Sequence, residues 1–185
     1  MDILLLGLAI FFAVHLVPSF VNIRLKVIST LGMPKYMGLY SITTLTGLVL
    51  IIYGKSIAEY KPIWDPPLWS RTLVFPIMLL AFYLFAAADM KSNIKRFIRH
   101  PMLLGILLWS SVHLIANGDL ASITLFGSFA VFSLVAMVSA NLRGALVQAE
   151  KFPIKKDVIS LIAGLVVYVI FVLFIHPYLI GIPVI

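Results

Sequence analysis

Two histidines, His15 and His113, stand inside apolar stretches of this 185-residue chain. Burying a polar group without a partner costs about 2–7 kcal/mol, so an imidazole in such a stretch needs either a partner or a function. No lysine or acidic residue lies within these stretches away from their ends. A neutral imidazole binds haem iron well, and a chain without cysteine has no thiolate to compete. The pair predicts shared ligation of haem iron or another metal, with hydrogen bonding between helices as the alternative.

The positions of the two histidines along their helices allow the rings to approach each other. At 1.5 Å per residue, His15 lies ~20 Å from Asp2, and His113 lies ~18 Å from Pro101. Both rings are therefore expected near the middle of a membrane or in its inner half. Pro18 cannot donate a backbone hydrogen bond, so it is expected to kink the first helix beside His15.

Residues four positions apart share a face of a helix. The residues that share a face with one of the two histidines are Gly105, Trp109 and Asn117 on one helix, and Gly7, Phe11 and Ser19 on the other. Each stripe combines small residues, an aromatic wall and one imidazole, which suits a flat apolar cofactor held between two helices. Because the glycines leave room, we expect a lateral opening at Gly7 and Gly105, through which an apolar small-molecule substrate would enter from the bilayer.

The composition predicts an integral membrane protein of the all-α class. Apolar residues make up 62% of the chain and charged residues only 11%, against about 25% in soluble domains. Six segments are long enough to cross a bilayer, and they lie near 2–21, 36–54, 70–88, 98–116, 120–142 and 158–176. Residues 117–119 alone join the fourth and fifth segments, which predicts a tight antiparallel hairpin. Nothing marks a second domain, so residues 1–185 are expected to form one transmembrane domain.

The net charge of +7 would suggest a nucleic-acid partner in a soluble protein. Here, however, 11 of the 14 basic residues lie in three alternate loops between the apolar segments, so membrane topology explains them better. The positive-inside rule then places both termini on the non-cytoplasmic side. We expect a protein of the lipid bilayer that binds no nucleic acid. The sequence does not indicate its oligomeric state.

Several stretches together resemble the NnrU family of bacterial membrane proteins, which is related to the plant zeta-carotene isomerase. They are HLVPSF at 15–20, YMGLYS at 36–41, WDPPLW at 64–69 and RHPMLLG with the following LW, H, ANGDLAS and LFGSF at 99–129. The resemblance implies a bacterial inner-membrane protein, often in the setting of denitrification. In the isomerase branch it implies haem b between two histidines, at positions that match His15 and His113, and redox-gated isomerisation of a cis double bond. Haem propionates need cations near an interface, and Arg96 and Arg99 are the candidates.

Two other functions compete with a haem enzyme. The stretch RHPMLLG also resembles the cofactor-binding segment of isoprenylcysteine carboxyl methyltransferases, which would use S-adenosylmethionine near Arg99 and His100. Those enzymes continue into an acidic, tyrosine-rich motif, whereas the corresponding region here has one glutamate, Glu150, and no tyrosine. A haem carrier or sensor without catalytic activity would keep the two histidines and need no substrate cleft. The sequence leaves open whether the protein is an enzyme.

Overall fold

The prediction of an all-α protein is confirmed by a computed structural model, which describes residues 1–180, with side chains as far as Tyr178. The helices are α1 (Asp2–Leu16), α2 (Val21–Leu31), α3 (Met33–Ser56), α4 (Leu68–Asp89), α5 (Pro101–Ala116), α6 (Leu120–Leu142), α7 (Ile154–Ile170) and α8 (His176–Ile180). Two 3₁₀ turns, Val17–Ser19 and Asn93–Arg96, and a π-helical turn, Phe171–Ile175, complete the chain order. The structure describes no β-strand between residues 1 and 180, only an isolated bridge between Pro62 and Asp119.

Five stretches of the described chain are long and apolar enough to cross a membrane. They are Asp2–Ser19, Met33–Ser56, Leu68–Asp89, Leu120–Leu142 and Ile154–Tyr178. These agree with five of the six predicted segments. The remaining one, predicted at 98–116, forms the shorter apolar helix α5, which begins only at Pro101. Its 16 residues span about 24 Å, against about 30 Å for the hydrocarbon layer.

The chain around Pro18 differs from the expected kinked helix. The α-helix ends at Leu16, and Pro18 lies in the 3₁₀ turn that follows, so this proline accompanies the end of α1 instead of bending it. Proline fits the first turn of a new helical element, where no backbone N–H is required, better than a helix interior. The connection to α3 also contains the helix α2, which was not predicted.

The helices pack in the spatial order α3, α1, α6, α5, α4, α7. The α1–α3, α4–α5, α5–α6 and α4–α7 pairs are extensively packed, whereas α1 meets α6 over a much smaller area. The short connection at residues 117–119 produces the predicted antiparallel hairpin of α5 and α6. The fold therefore consists of two parts, α1 with α3 and α4–α7, which meet along one seam between α1 and α6.

Glycines set the distance between the most closely packed helices. A Cβ at Gly7 would lie 2.7 Å from the backbone nitrogen of Ile51, and one at Gly47 would lie 2.9 Å from that of Phe11. Gly54 faces the backbone of Leu4 in the same way. Such contacts are typical of helix pairs in lipid, where small residues allow backbones to approach closely.

Replacing Gly7 by alanine is expected to destabilise the protein, because the new Cβ would meet backbone atoms of α3 that cannot rotate away. Overpacking of this kind costs about 1–3 kcal/mol, more than the gain of about 1 kcal/mol in helix propensity. The matched control is Gly38→Ala in α3, where a Cβ has no neighbour within 4 Å and only the propensity gain applies. Thermal unfolding in detergent should show opposite signs for the two variants. Equal shifts would contradict the close α1–α3 contact.

Candidate functional site

The imidazole of His15 is held on α1 by its own helix. Its Nδ1 lies 2.7 Å from the carbonyl oxygen of Phe11, and the ring stacks on the Phe11 ring at 4.1 Å. A carbonyl can only accept, so Nδ1 carries a proton, and in the neutral imidazole Nε2 then carries the lone pair. Tyr40 on α3 and Phe132 on α6 border the same ring, at 5.6 and 6.1 Å between ring centres.

The imidazole of His113 is held in the same way on α5. Its Nδ1 donates to the carbonyl oxygen of Trp109 at 2.8 Å, which again leaves the lone pair on Nε2. The Phe126 ring of α6 lies 4.9 Å from the imidazole. Asn117 donates to the carbonyl oxygen of His113 and so caps the end of α5.

A continuous set of aromatic rings lies between the two histidines. This aromatic cluster consists of Phe11, Phe12, Trp109, Phe126, Phe129 and Phe132. From His15 the ring contacts run through Phe11 to Phe129 at 5.4 Å, on to Trp109 at 5.2 Å, and from Trp109 to His113 at 5.8 Å. The two imidazoles also border different levels of α6, Phe132 and Phe126, which are about 9 Å apart along the helix axis. The structure does not bring the two rings face to face.

The donor chemistry of the two histidines fits a haem, and in this packing the aromatic cluster lies between their rings. Both rings donate Nδ1–H to a backbone carbonyl, the arrangement that orients a metal-ligating imidazole and fixes its tautomer. A single metal ion between both Nε2 atoms would need each of them about 2 Å away, and the aromatic cluster fills the intervening space. The described residues contain no group of three or more His, Asp or Glu side chains that could hold a metal ion on its own.

The other predicted site residues separate into three places. Trp109 belongs to the aromatic cluster and contacts His113. Gly105 faces α4, because a Cβ there would lie 2.5 Å from Cε1 of Phe85. Arg99 lies at the far end of α5, where its guanidinium donates to Asn141 Oδ1 at 2.7 Å. Arg96 ends the 3₁₀ turn before α5, so neither arginine is on the level of the two histidines.

The lateral opening is not at the glycines where it was expected. The backbone of α3 fills the space at Gly7, and Phe85 fills that at Gly105. An open apolar groove of about 490 Å³ lies instead in the seam between α1 and α6. Gly127 is in its wall, and a Cβ there would have no neighbour within 4 Å. Phe12 and Phe132, the latter beside His15, line it as well.

A polar connection that the sequence did not reveal ties α3 to the start of α6. Asp119 is 7% exposed, and its Oδ1 accepts hydrogen bonds from the backbone N–H of Ser122 and from Lys55 Nζ, each at 3.0 Å. The loop before α4 pairs with the same turn, since Ile63 and Trp64 both donate to the carbonyl oxygen of Gly118. The stretches WDPPLW and ANGD thus meet in space. An aspartate directly before an apolar helix is an N-cap signal, so this role of Asp119 can be found in the sequence. No sequence feature indicates that Lys55 is its partner.

A second connection ties the loop before α5 to the first turn of α7 and to the segment before it. Asn93 donates from its backbone and its side chain to the two oxygens of Asp157, each at 2.6 Å. It also exchanges hydrogen bonds with the backbone of Phe152 at 2.8 and 2.9 Å. These bonds fix the end of the bundle that carries Lys91, Lys95, Arg96, Arg99, Arg143 and Lys151, which we call the basic end.

The fold and this site define a class of all-helical proteins. Several of the helices are suited to a lipid bilayer, and histidines lie in the apolar stretches. The profile of the family described as NnrU protein matches residues 3–184. The chain therefore belongs to the NnrU family. Comparison with curated proteins and with solved structures finds no match.

The Lys55–Asp119 contact makes stability depend on pH. Burial alone would raise the pKa of the Asp119 carboxyl, but the hydrogen bonds from Ser122 and the charge of Lys55 outweigh it and hold this pKa below its usual range. The carboxylate therefore stabilises the fold above the unfolded-state pKa of about 4, and this contribution is lost as pH falls through the lower folded-state pKa.

Asp119→Asn keeps a good N-cap but removes the charge. We expect this variant to unfold in detergent at a lower temperature than the wild type at pH 7. The difference between the two unfolding temperatures should narrow toward pH 3. Glu59→Gln is the control, because its ion pair with Lys61 is largely exposed and should contribute little. A difference that stays constant between pH 7 and pH 3 would exclude a role for the Asp119 charge.

Proposed function

We propose that this NnrU-family protein is a membrane haem b protein in which the Nε2 atoms of His15 and His113 would hold the haem iron. The observation that carries the proposal is that the two imidazoles have the same hydrogen-bonding pattern. Each has Nδ1–H bound to a carbonyl of its own helix, and no hydrogen bond occupies either Nε2 among the described residues. A histidine that served only to link two helices would use Nε2 for a hydrogen bond to the neighbouring helix.

The surroundings of the two histidines support an apolar cofactor. Both rings border the aromatic cluster, which excludes water and offers flat faces to a macrocycle. Cofactor binding would require Phe11 and Phe129 to move out of the space between the imidazoles, where their rings meet across the seam between α1 and α6. Haem, when bound, would supply one-electron redox chemistry. The chain would orient it through the fixed histidine tautomers.

A haem enzyme acting on an apolar substrate and a haem carrier or sensor both fit this site. The groove beside Phe12 and Phe132 gives an apolar molecule access from the bilayer, as a redox-linked isomerase would need. No observation favours the methyltransferase. Arg99 and His100 both bind the side-chain oxygen of Asn141, at 2.7 and 2.9 Å, instead of facing a pocket. We infer a place in the bacterial inner membrane, with a link to nitrogen-oxide metabolism as the family resemblance suggests.

We further propose that α5 is a sixth, short span and that both termini lie outside the cytoplasm. The helix α5 packs between α4 and α6, so its neighbours can cover the ends that it leaves short of the bilayer surfaces. The basic end would then face the cytoplasm.

Haem binding is tested by the absorption spectrum of protein purified from cells supplied with haem. We expect one haem b per chain in the wild type, and a loss of haem or a changed spectrum in both His15→Ala and His113→Ala. His100→Ala is the matched control, since this histidine binds Asn141 away from the aromatic cluster. A colourless wild type would reject haem binding, and unchanged spectra in both variants would reject these ligands.

The topology is tested by reporter enzymes fused after Ile185 and, separately, after Lys151. We expect the reporter that works only outside the cytoplasm to be active at Ile185, and the cytoplasmic reporter to be active at Lys151 in the basic loop. Cytoplasmic activity at both sites would show that the last segment does not cross the membrane.

A further inference from the structure

The groove in the seam has the length of an extended hydrocarbon chain. Its wall on α6 runs from Ile123 to Val135, about 18 Å at 1.5 Å per residue. A hydrocarbon chain lying parallel to the helices would follow this wall.

The lining of the groove is apolar, and α6 extends it as an apolar strip toward the basic end. Thr124 contributes a hydroxyl, but this group already donates to the carbonyl oxygen of Leu120. From Leu134, beside Val135, the strip continues over Val138 to Leu142, and these three side chains are 50%, 58% and 84% exposed. A hydrocarbon chain could therefore follow α6 down to the surface of the membrane.

Arg143 lies where the apolar strip reaches the basic end. The guanidinium of Arg143 folds back along α6 and donates to the hydroxyl of Ser139, which borders the strip. No carboxylate pairs with Arg143 in the part of the chain that the structure describes, where the ion pairs are Lys55–Asp119 and Lys61–Glu59. Guanidinium groups bind phosphate through two parallel hydrogen bonds, and basic residues at a membrane surface attract anionic lipid.

We propose that the seam between α1 and α6 is a binding site for one anionic phospholipid. One acyl chain lies in the groove past Gly127, and the phosphate binds Arg143. The charge of the basic end favours this occupant over an uncharged apolar molecule. The lipid would cover the half-buried rings of Phe12 and Phe132 and so shield the aromatic cluster around His15 from the bilayer.

The experiment is native mass spectrometry of the detergent-purified chain with an equimolar mixture of phosphatidylglycerol and phosphatidylcholine of the same acyl chains. We expect one phosphatidylglycerol to stay bound preferentially. Arg143→Gln should weaken its retention about tenfold or more, the effect of removing charged hydrogen bonds. Arg71→Gln, a cation in the first turn of α4, should leave retention unchanged.

The groove is tested separately by Gly127→Leu, whose side chain would occupy the space of the acyl chain. Gly38→Leu is its matched control, because both glycines have open space at the Cβ but only Gly127 lines the groove. We expect Gly127→Leu to abolish preferential retention and Gly38→Leu to keep it. Equal retention in the two leucine variants would overturn the groove assignment. Equal binding of both lipids, unaffected by Arg143→Gln, would overturn the phosphate site. These measurements do not depend on haem.

Discussion

Close backbone contact between helices at glycine is the constraint on which this structure depends. In lipid, an apolar side chain gains little by moving from acyl chains to another helix, so association relies on dense packing. Gly7, Gly47 and Gly54 provide it between α1 and α3. Gly164 does the same between α7 and α4, where a Cβ would lie 2.8 Å from the Cα of Tyr83. These glycine contacts do not involve His15 or His113 themselves, but they position the helices of the bundle that carries both histidines. Their positions follow from which helices pack extensively, and α1 and α6 meet over a smaller area.

The seam between α1 and α6 contains aliphatic side chains, among them Leu8 and Leu125, and aromatic rings near His15. Phe12 contacts Phe129 and Phe132 across it at 5.0 and 4.9 Å, and His15 contacts Phe132 at 6.1 Å. Aromatic side chains reach over a wider gap than glycine contacts allow, and that gap leaves the groove at Gly127. The candidate site and the groove therefore lie in the same interface.

Much of the fold could be predicted from the sequence, because apolar length and loop charge report directly on membrane helices. The segment 120–142 agrees with α6 at both ends. The start of α5 was placed too early because Ile98 is apolar, although Pro101 suits the first turn of a helix. The histidines were identifiable by type and depth, but the glycines were misread as open space. A glycine leaves room that a neighbouring helix can fill. Whether a cleft or a contact results depends on which residue faces the glycine, as Phe85 faces Gly105. Sequence spacing within one helix does not contain that information.

The polar contacts described between the two parts of the fold lie at one end of the seam. At one end, Lys55 and Asp119 bridge α3 and α6, and the backbone of the loop before α4 pairs with the α5–α6 turn. At the basic end, the hydrogen bonds of Asn93, Gln148 and Asn141 all stay within the part formed by α4–α7, as far as the described chain extends. If the two parts separated, the gap would be widest at the basic end, away from the Lys55–Asp119 contact. His15 lies toward the basic end and His113 toward that contact, so any such movement would expose the first imidazole well before the second.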